Sequence, residues 1–382
     1  MAVISRLAVV LSGFSLFFFC LDSNSAVLPE DRADALYHYY DGGGVTIQGP
    51  SILVRKSIKD KVSVSANYYV DNVSSASIDV VTTASAYTEQ RIEKSVGADY
   101  LHDKTIMSFN YTASDENDFS ARSAHFNVSQ DFFGDLTTLT LGYSQGWDEV
   151  GKRDEDDFKY DADRRNFRLG VTQVITKNSI LALSWETVTD QGQYLNNPYR
   201  AIRYLDPSVG SGYSYQDEVY PDTRTSDAIA IRGMYYLPYR AAVKLEAKRF
   251  ADTWGINANT FSVEYVHPYK DEWIFDGKLR FYQQDRADFY SDLFERIDEQ
   301  NFRARDKEMS TFSSVTLGFG ASYEKELKDW RYLNKYIVNL SLDHIQFDFD
   351  DFRDLRVSAT PGTEPLYSYN ANVIRLFVSV FY

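Results

Sequence analysis

The sequence holds one cysteine, Cys20, and five histidines in 382 residues. So little thiol and imidazole excludes a disulfide-stapled fold and any zinc site of Cys/His spacing. An excess of basic residues is missing too. Lys and Arg number 40 against 55 Asp and Glu, a net charge of -15, which argues against nucleic acid as a partner. Beyond the N-terminus no stretch reaches the roughly 18–20 continuous apolar residues of a membrane helix. A helical membrane protein is therefore excluded.

What the chain has instead is aromatic, with 29 Tyr and 25 Phe. Heavy aromatic use with a negative mean hydropathy suits a wall in which only every second residue meets lipid. The N-terminus reads as an export signal over residues 1–26. Arg6 supplies the positive start, Leu7 to Phe19 the apolar stretch, and Ser23, Ser25 and Ala26 the small residues of a cleavage region. Cleavage there would remove Cys20. The bulky Phe17, Phe18 and Phe19 before Cys20 argue against lipid attachment.

The last sixteen residues, Tyr367 to Tyr382, set the architecture. Ile374, Leu376, Val378, Val380 and Tyr382 fall on one side of an extended chain, and Arg375, Phe377, Ser379 and Phe381 on the other. That is the period of a strand. An apolar row of this length makes sense when it faces lipid and the strand closes a barrel against the first one. The same alternation recurs upstream. Val62, Val64, Ala66, Tyr68 and Val70 share one face; so do Met107, Phe109 and Tyr111, and Leu181, Leu183 and Trp185. Short turns such as His102-Asp103-Lys104 and Thr176-Lys177-Asn178 alternate with polar loops at Asp148–Asp163, Thr189–Ser226, Gln283–Met309 and Phe347–Leu366. Outer-membrane barrels distribute short periplasmic turns and long extracellular loops in this way.

The expected fold is thus all-β: a transmembrane antiparallel barrel of about 16 strands, or about 14 as the alternative. Residues 45–382 form the barrel. Residues 27–44 read as a separate periplasmic or lumenal segment, although Leu36 to Tyr40 would supply the strand that brings the count to about 16. Aromatics at the ends of the apolar rows mark the lipid interfaces: Tyr68, Tyr100, Tyr111, Trp147 and Trp185 in the first half, Tyr235, Trp273, Tyr323, Tyr336 and Tyr382 in the second.

If apolar rows face lipid, the opposite rows face the lumen. These carry Glu186, Arg232, Lys244, Glu246 and Lys248, followed by Glu264, Asp276, Lys278, Arg280 and Glu324. Opposite signs on neighbouring strands suggest ion pairs that brace the lumen. Left unpaired, the basic members would select anionic solutes in a pore. A catalytic reading needs more. His125 among Ser123, Asn127 and Ser129 is the nearest thing to a hydrolase set, but nothing in the spacing activates it. Asp343 and His344 point to opposite faces. The acidic runs Asp348, Asp350, Asp351, Asp354 and Asp154–Asp157 are solvated loops, or divalent-cation sites toward lipopolysaccharide. The expectation is a non-enzymatic envelope protein, a pore or scaffold, with no catalytic residues, metal or cofactor of its own.

Two stretches, LYHYYDGGGVTIQGPSILVRK (Leu36 to Lys56) and VSVSANYYVDNVSSASIDVVTTASAYTEQR (Val62 to Arg91), resemble the bacterial family called domain of unknown function 3570. The resemblance implies an outer-membrane protein of Gram-negative bacteria without an established activity. Genes for a small lipoprotein, a thioredoxin-like protein and a flavin-attaching transferase neighbour that family. By resemblance, then, a small lipoprotein or a redox or flavoprotein partner is expected. The alternating strand before Tyr382 also resembles the signal read by barrel-assembly machinery, which usually ends in Phe rather than Tyr.

Overall fold

The computed structural model describes residues 27–75, 87–153, 155–327 and 330–382. The export signal, Asp154 and most of the Ser74–Ala86 loop lie outside them. The first nine strands are β1 (Arg32–Gly42), β2 (Val45–Ile58), β3 (Val62–Ser75), β4 (Tyr87–His102), β5 (Thr105–Asp115), β6 (Phe119–Phe132), β7 (Thr137–Lys152), β8 (Glu155–Thr176) and β9 (Ser179–Gly192). A small hairpin follows, β10 (Ala201–Leu205) and β11 (Tyr213–Asp217). Then come β12 (Thr223–Tyr236), β13 (Ala242–Asp252), β14 (Asn257–Tyr269), β15 (Trp273–Gln284), β16 (Phe312–Glu326), β17 (Lys335–Arg353) and β18 (Leu366–Phe381).

All of these except β10 and β11 pair antiparallel with their neighbours in one closed barrel of 16 strands. Closure runs through β1 and β18, from Arg32 opposite Phe381 to Gly42 opposite Ala371. Closing the wall leaves no unpaired edge, which hydrocarbon would not tolerate.

Residues 27–44 are therefore not a separate segment. Arg32–Gly42 is a wall strand bonded on both sides, because its alternating row Asp34, Leu36, His38 and Tyr40 turns inward while Tyr37 stays exposed. The glycines make the turn to β2. Gly43 and Gly44 have φ of 60° and 80°, the left-handed pair that a two-residue hairpin needs.

Outward rows form a continuous apolar band. Val64, Val96, Phe109, Leu141, Leu183, Leu245 and Leu376 are all exposed on it, and Leu317 shows 59% of its surface. So large an apolar area belongs against lipid, not water.

The rim that holds the C-terminal end of β18 carries only short connections, the longest being residues 327–334; it is called the lower rim below. The upper rim differs from the strict alternation of loop lengths expected. Residues 43–44, 116–118, 153–154 and 253–256 are also short connections. The acidic stretch Asp148–Asp163 is not a loop but the tall end of the β7–β8 hairpin. Its charges pair across the strands, Lys159 with Glu149 and Lys152 with Glu155, while Val150 packs inward on Phe119. The Phe347–Leu366 stretch likewise begins as strand. Phe347 and Phe349 turn inward, and Asp348 and Asp350 outward.

Candidate functional site: the lumen and the loops that cap it

The inward charges are held in a cross-strand ladder. Arg232 pairs with its register partner Glu246, and Lys244 Nζ lies 2.9 Å from Glu264, also its register partner. Arg168 on β8 holds Glu186 at 2.7 Å. Asp343 takes Lys278 and Arg375 at 2.8 Å each. Lys248 faces inward near Glu186 and Glu246, and Glu324 lies 3.8 Å from Lys335 at the lower rim. Arg280 differs: it lies over the Tyr282 ring, and the carboxylates that act on it, Glu246 and Asp343, are already engaged by Arg232, Lys278 and Arg375. Asp276 sits across Gly320.

Lys278 and Asp343 meet although β16 runs between them. Their shared register position on β16 is Gly318, where a Cβ would stand 2.4 Å from Asp343 Oδ1 and 2.9 Å from Lys278 Cε. Gly318→Val is expected to break the bridge and lower stability by about 1–3 kcal/mol. The temperature at which the heat-modifiable gel band shifts measures it.

The outward aromatics sit at two heights. Tyr68, Tyr111, Trp147 and Trp185 are exposed toward the upper side, and Tyr100, Tyr235 and Trp273 toward the lower. Trp273, Tyr323 and Tyr336 form a string along the lower rim, with ring centroids 4.9 and 6.2 Å apart. Tyr382 anchors the seam there, its hydroxyl donating to the Arg55 carbonyl at 2.9 Å.

Sequence reasoning missed a buried polar cluster on the inward faces of β1, β3 and β4. His38 Nε2 lies 2.7 Å from Asp71, which is 1% exposed. Arg91 approaches the same carboxylate at 3.4 Å and Glu93 at 3.6 Å, and the Tyr69 ring stacks on His38. His38 reaches β3 because the residue opposite it on β2 is Gly49. Three separate strands carry these residues, so local spacing holds no trace of them.

The second missed feature is a cap. The segments 193–222 and 285–311 fold against the inward side of the upper wall. Tyr220, Trp254, Phe289, Tyr290 and Met309 pack there with Phe349, Phe352 and Tyr367 of the last two strands. These aromatics bury enough apolar area to order the loops. Charges tie the cap down. Arg203 on β10 donates to Asp292 at 2.6 Å and to Glu364. Arg305 joins Asp292 at 2.9 Å, and Glu218 accepts the Arg305 amide at 2.7 Å. Burial, with Asp306 nearby, pushes the Glu218 carboxyl up.

No catalytic set comes together among the described residues. His125 Nε2 lies 3.1 Å from Ser123 Oγ, with no third orienting group. His344 bonds Asn372 on the outward face while Asp343 points inward. The acidic run at the end of β17 is also occupied internally: Asp351 accepts the Thr311 amide and Asp354 pairs with Arg356.

A closed antiparallel wall with an exposed apolar band and a charged, capped lumen defines a transmembrane β-barrel. The chain belongs to the family described as "Protein of unknown function (DUF3570)", whose profile matches residues 82–336. Of the two stretches that carried the resemblance, only the end of the second falls within that match. No curated protein matches the sequence. Among solved structures, a bacterial polysaccharide outer membrane secretin is 9% identical, with TM-score 0.49, covering 93% of this chain and all of its own. OmpT of Vibrio cholerae is 9% identical with TM-score 0.43, covering 94% and 100%. A FadL homologue of Pseudomonas aeruginosa is 9% identical with TM-score 0.44, covering 93% and 91%. Likeness at this level says nothing of cargo or activity.

Proposed function

We propose that the protein is a non-enzymatic pore of the Gram-negative outer membrane whose upper mouth is restricted by its own loops. The observation that carries this reading is the cap itself, an aromatic core built between the segments 193–222 and 285–311 and the inner wall. A closed barrel with an apolar band supports the membrane location, and short lower connections support a periplasmic lower rim. The upper rim would then meet lipopolysaccharide, and β18 would be the strand read by the assembly machinery.

Pairing of Arg232, Lys244 and Lys278 removes most of the fixed positive charge from the lumen. Arg280 shares Glu246 and Asp343 with those cations and holds no carboxylate of its own among the described residues, so it is the residue expected to bias permeation toward anions. Planar-bilayer recording tests this. The wild type is expected to show small, infrequent openings with a preference for anions, and Arg280→Glu to reverse that preference. Wild-type conductance as large as that of an open general porin would sink the restricted-pore reading.

A further inference from the structure

We propose that the Glu218–Asp306 carboxylate pair is a pH-sensitive latch of the cap, closed in acid and neutral solution and released in alkaline. The two acids come from the two segments that build the cap, Glu218 from 193–222 and Asp306 from 285–311. Both are buried, Glu218 at 5% exposure and Asp306 at 2%. Glu218 sits on the seam between the segments, where its carboxylate accepts the Arg305 amide at 2.7 Å. The next residue, Val219, exchanges both backbone hydrogen bonds with Arg303, at 3.0 and 2.8 Å.

One buried guanidinium faces both acids. Arg200 Nε lies 3.7 Å from Asp306, and its charge also acts on Glu218. The other charges around the seam are directed elsewhere. Arg305 gives its guanidinium to Asp292 at 2.9 Å, and Arg303 lies 3.4 Å from Asp298. Asp217 is near Tyr194, and Lys307 and Glu308 are near Tyr40 of β1. The Tyr220 hydroxyl bonds Glu218 from below the aromatic core, with the Trp254 and Phe289 rings edge-on at 5.3 and 5.1 Å. Two carboxylates and one guanidinium carry a net negative charge in a site that water does not reach, and a proton on Glu218 cancels it.

Burial and the Asp306 carboxylate push the Glu218 carboxyl up to about 8. In an opened cap Glu218 meets water and returns to the ordinary range of about 4.3. The closed cap therefore holds a proton that the open cap releases. Closure has this contribution in full below about pH 4 and loses it as pH rises through about 8. Within that window each pH unit moves the open–closed equilibrium up to about tenfold toward open. Under the restricted-pore reading, on which this consequence rests, release widens the upper mouth.

Trp254 reports the latch without any current. It is 3% exposed, whereas Trp147, Trp185, Trp273 and Trp330 are exposed. The experiment is acrylamide quenching of the purified barrel in detergent during urea titration, at about pH 5, 7 and 9, with Trp254→Phe identifying the Trp254 signal. The urea concentration that exposes Trp254 is expected to fall steeply from acid to alkaline in the wild type, and Glu218→Gln to lose most of that dependence. Asp306→Asn keeps an oxygen for the Glu308 amide and is expected to displace the response toward acid by about one pH unit, which decides the matter where Glu218→Gln fails to assemble. A wild type without the response, a response retained in full by Glu218→Gln, or one undisplaced in Asp306→Asn overturns the latch. Conductance of general-porin size at every pH, with the Trp254 response intact, supports the latch and removes the pore reading alone.

Discussion

Arg203→Ala opens the barrel: single-channel conductance rises several-fold, and trypsin cuts the 285–311 segment at Arg286 or Arg296. The reason lies in what one guanidinium holds. Arg203 is 0% exposed. It donates to the Asp292 carboxylate and backbone carbonyl and to both oxygens of Glu364. It thus joins β10, the 285–311 segment and the loop between β17 and β18. Truncation leaves Glu364 buried without its partner, and breaking a buried pair in this way costs about 3–5 kcal/mol. Arg305 and Arg353 still reach Asp292, so the loss concentrates on the Glu364 side of the cap. The barrel wall does not depend on Arg203, and the heat-modifiable band should survive. Arg203→Lys is expected to fall between, because a single ammonium cannot reproduce a forked contact with two carboxylates. An Arg203→Ala barrel with wild-type conductance and a protected 285–311 segment would show that the cap is held by its aromatic core alone.

Deleting Phe381 and Tyr382 has the larger effect on assembly, abolishing most of the heat-modifiable barrel. Phe381 is buried at the seam, opposite both Arg32 on β1 and Lys335 on β17. The Lys335 ammonium lies 4.4 Å from its ring centroid, and its carbonyl accepts the Asn334 amide at 2.8 Å. Tyr382 donates its backbone N–H to the Asp31 carbonyl and its hydroxyl to the Arg55 carbonyl. Losing a buried Phe costs about 3–5 kcal/mol. Here it also frees backbone groups at the point where the sheet closes. Urea titration of folded samples and the fraction of heat-shifted protein in cells measure the effect. Normal amounts of folded barrel in the deletion would place the closing energy elsewhere along β1 and β18.

The wall was legible because its signal is local. Ile374, Leu376 and Val378 alternate within a few residues, and lipid rewards that alternation strand by strand. The rows opposite carry charge at the same period, and Arg232, Lys244 and Lys278 of those rows meet carboxylates on neighbouring strands. What local reading misjudged is where strands end. Asp148–Asp163 has the composition of a loop, yet cross-strand pairing carries it on as hairpin. Phe347, Phe349 and Phe352 alternate with aspartates in a way that sequence reads as solvated, but the inward face meets the cap.

Sequence alone determined that this chain is a closed β-barrel with a lipid-facing outer surface, since a period of two needs only neighbouring residues to express it. Only the tertiary structure decided what fills the mouth and which acids meet. Arg203 and Glu364 are 161 residues apart, His38 finds Asp71 two strands over, and Glu218 meets Asp306 from the other segment of the cap. Burial and register create those contacts, and neither is written in any single stretch of the chain.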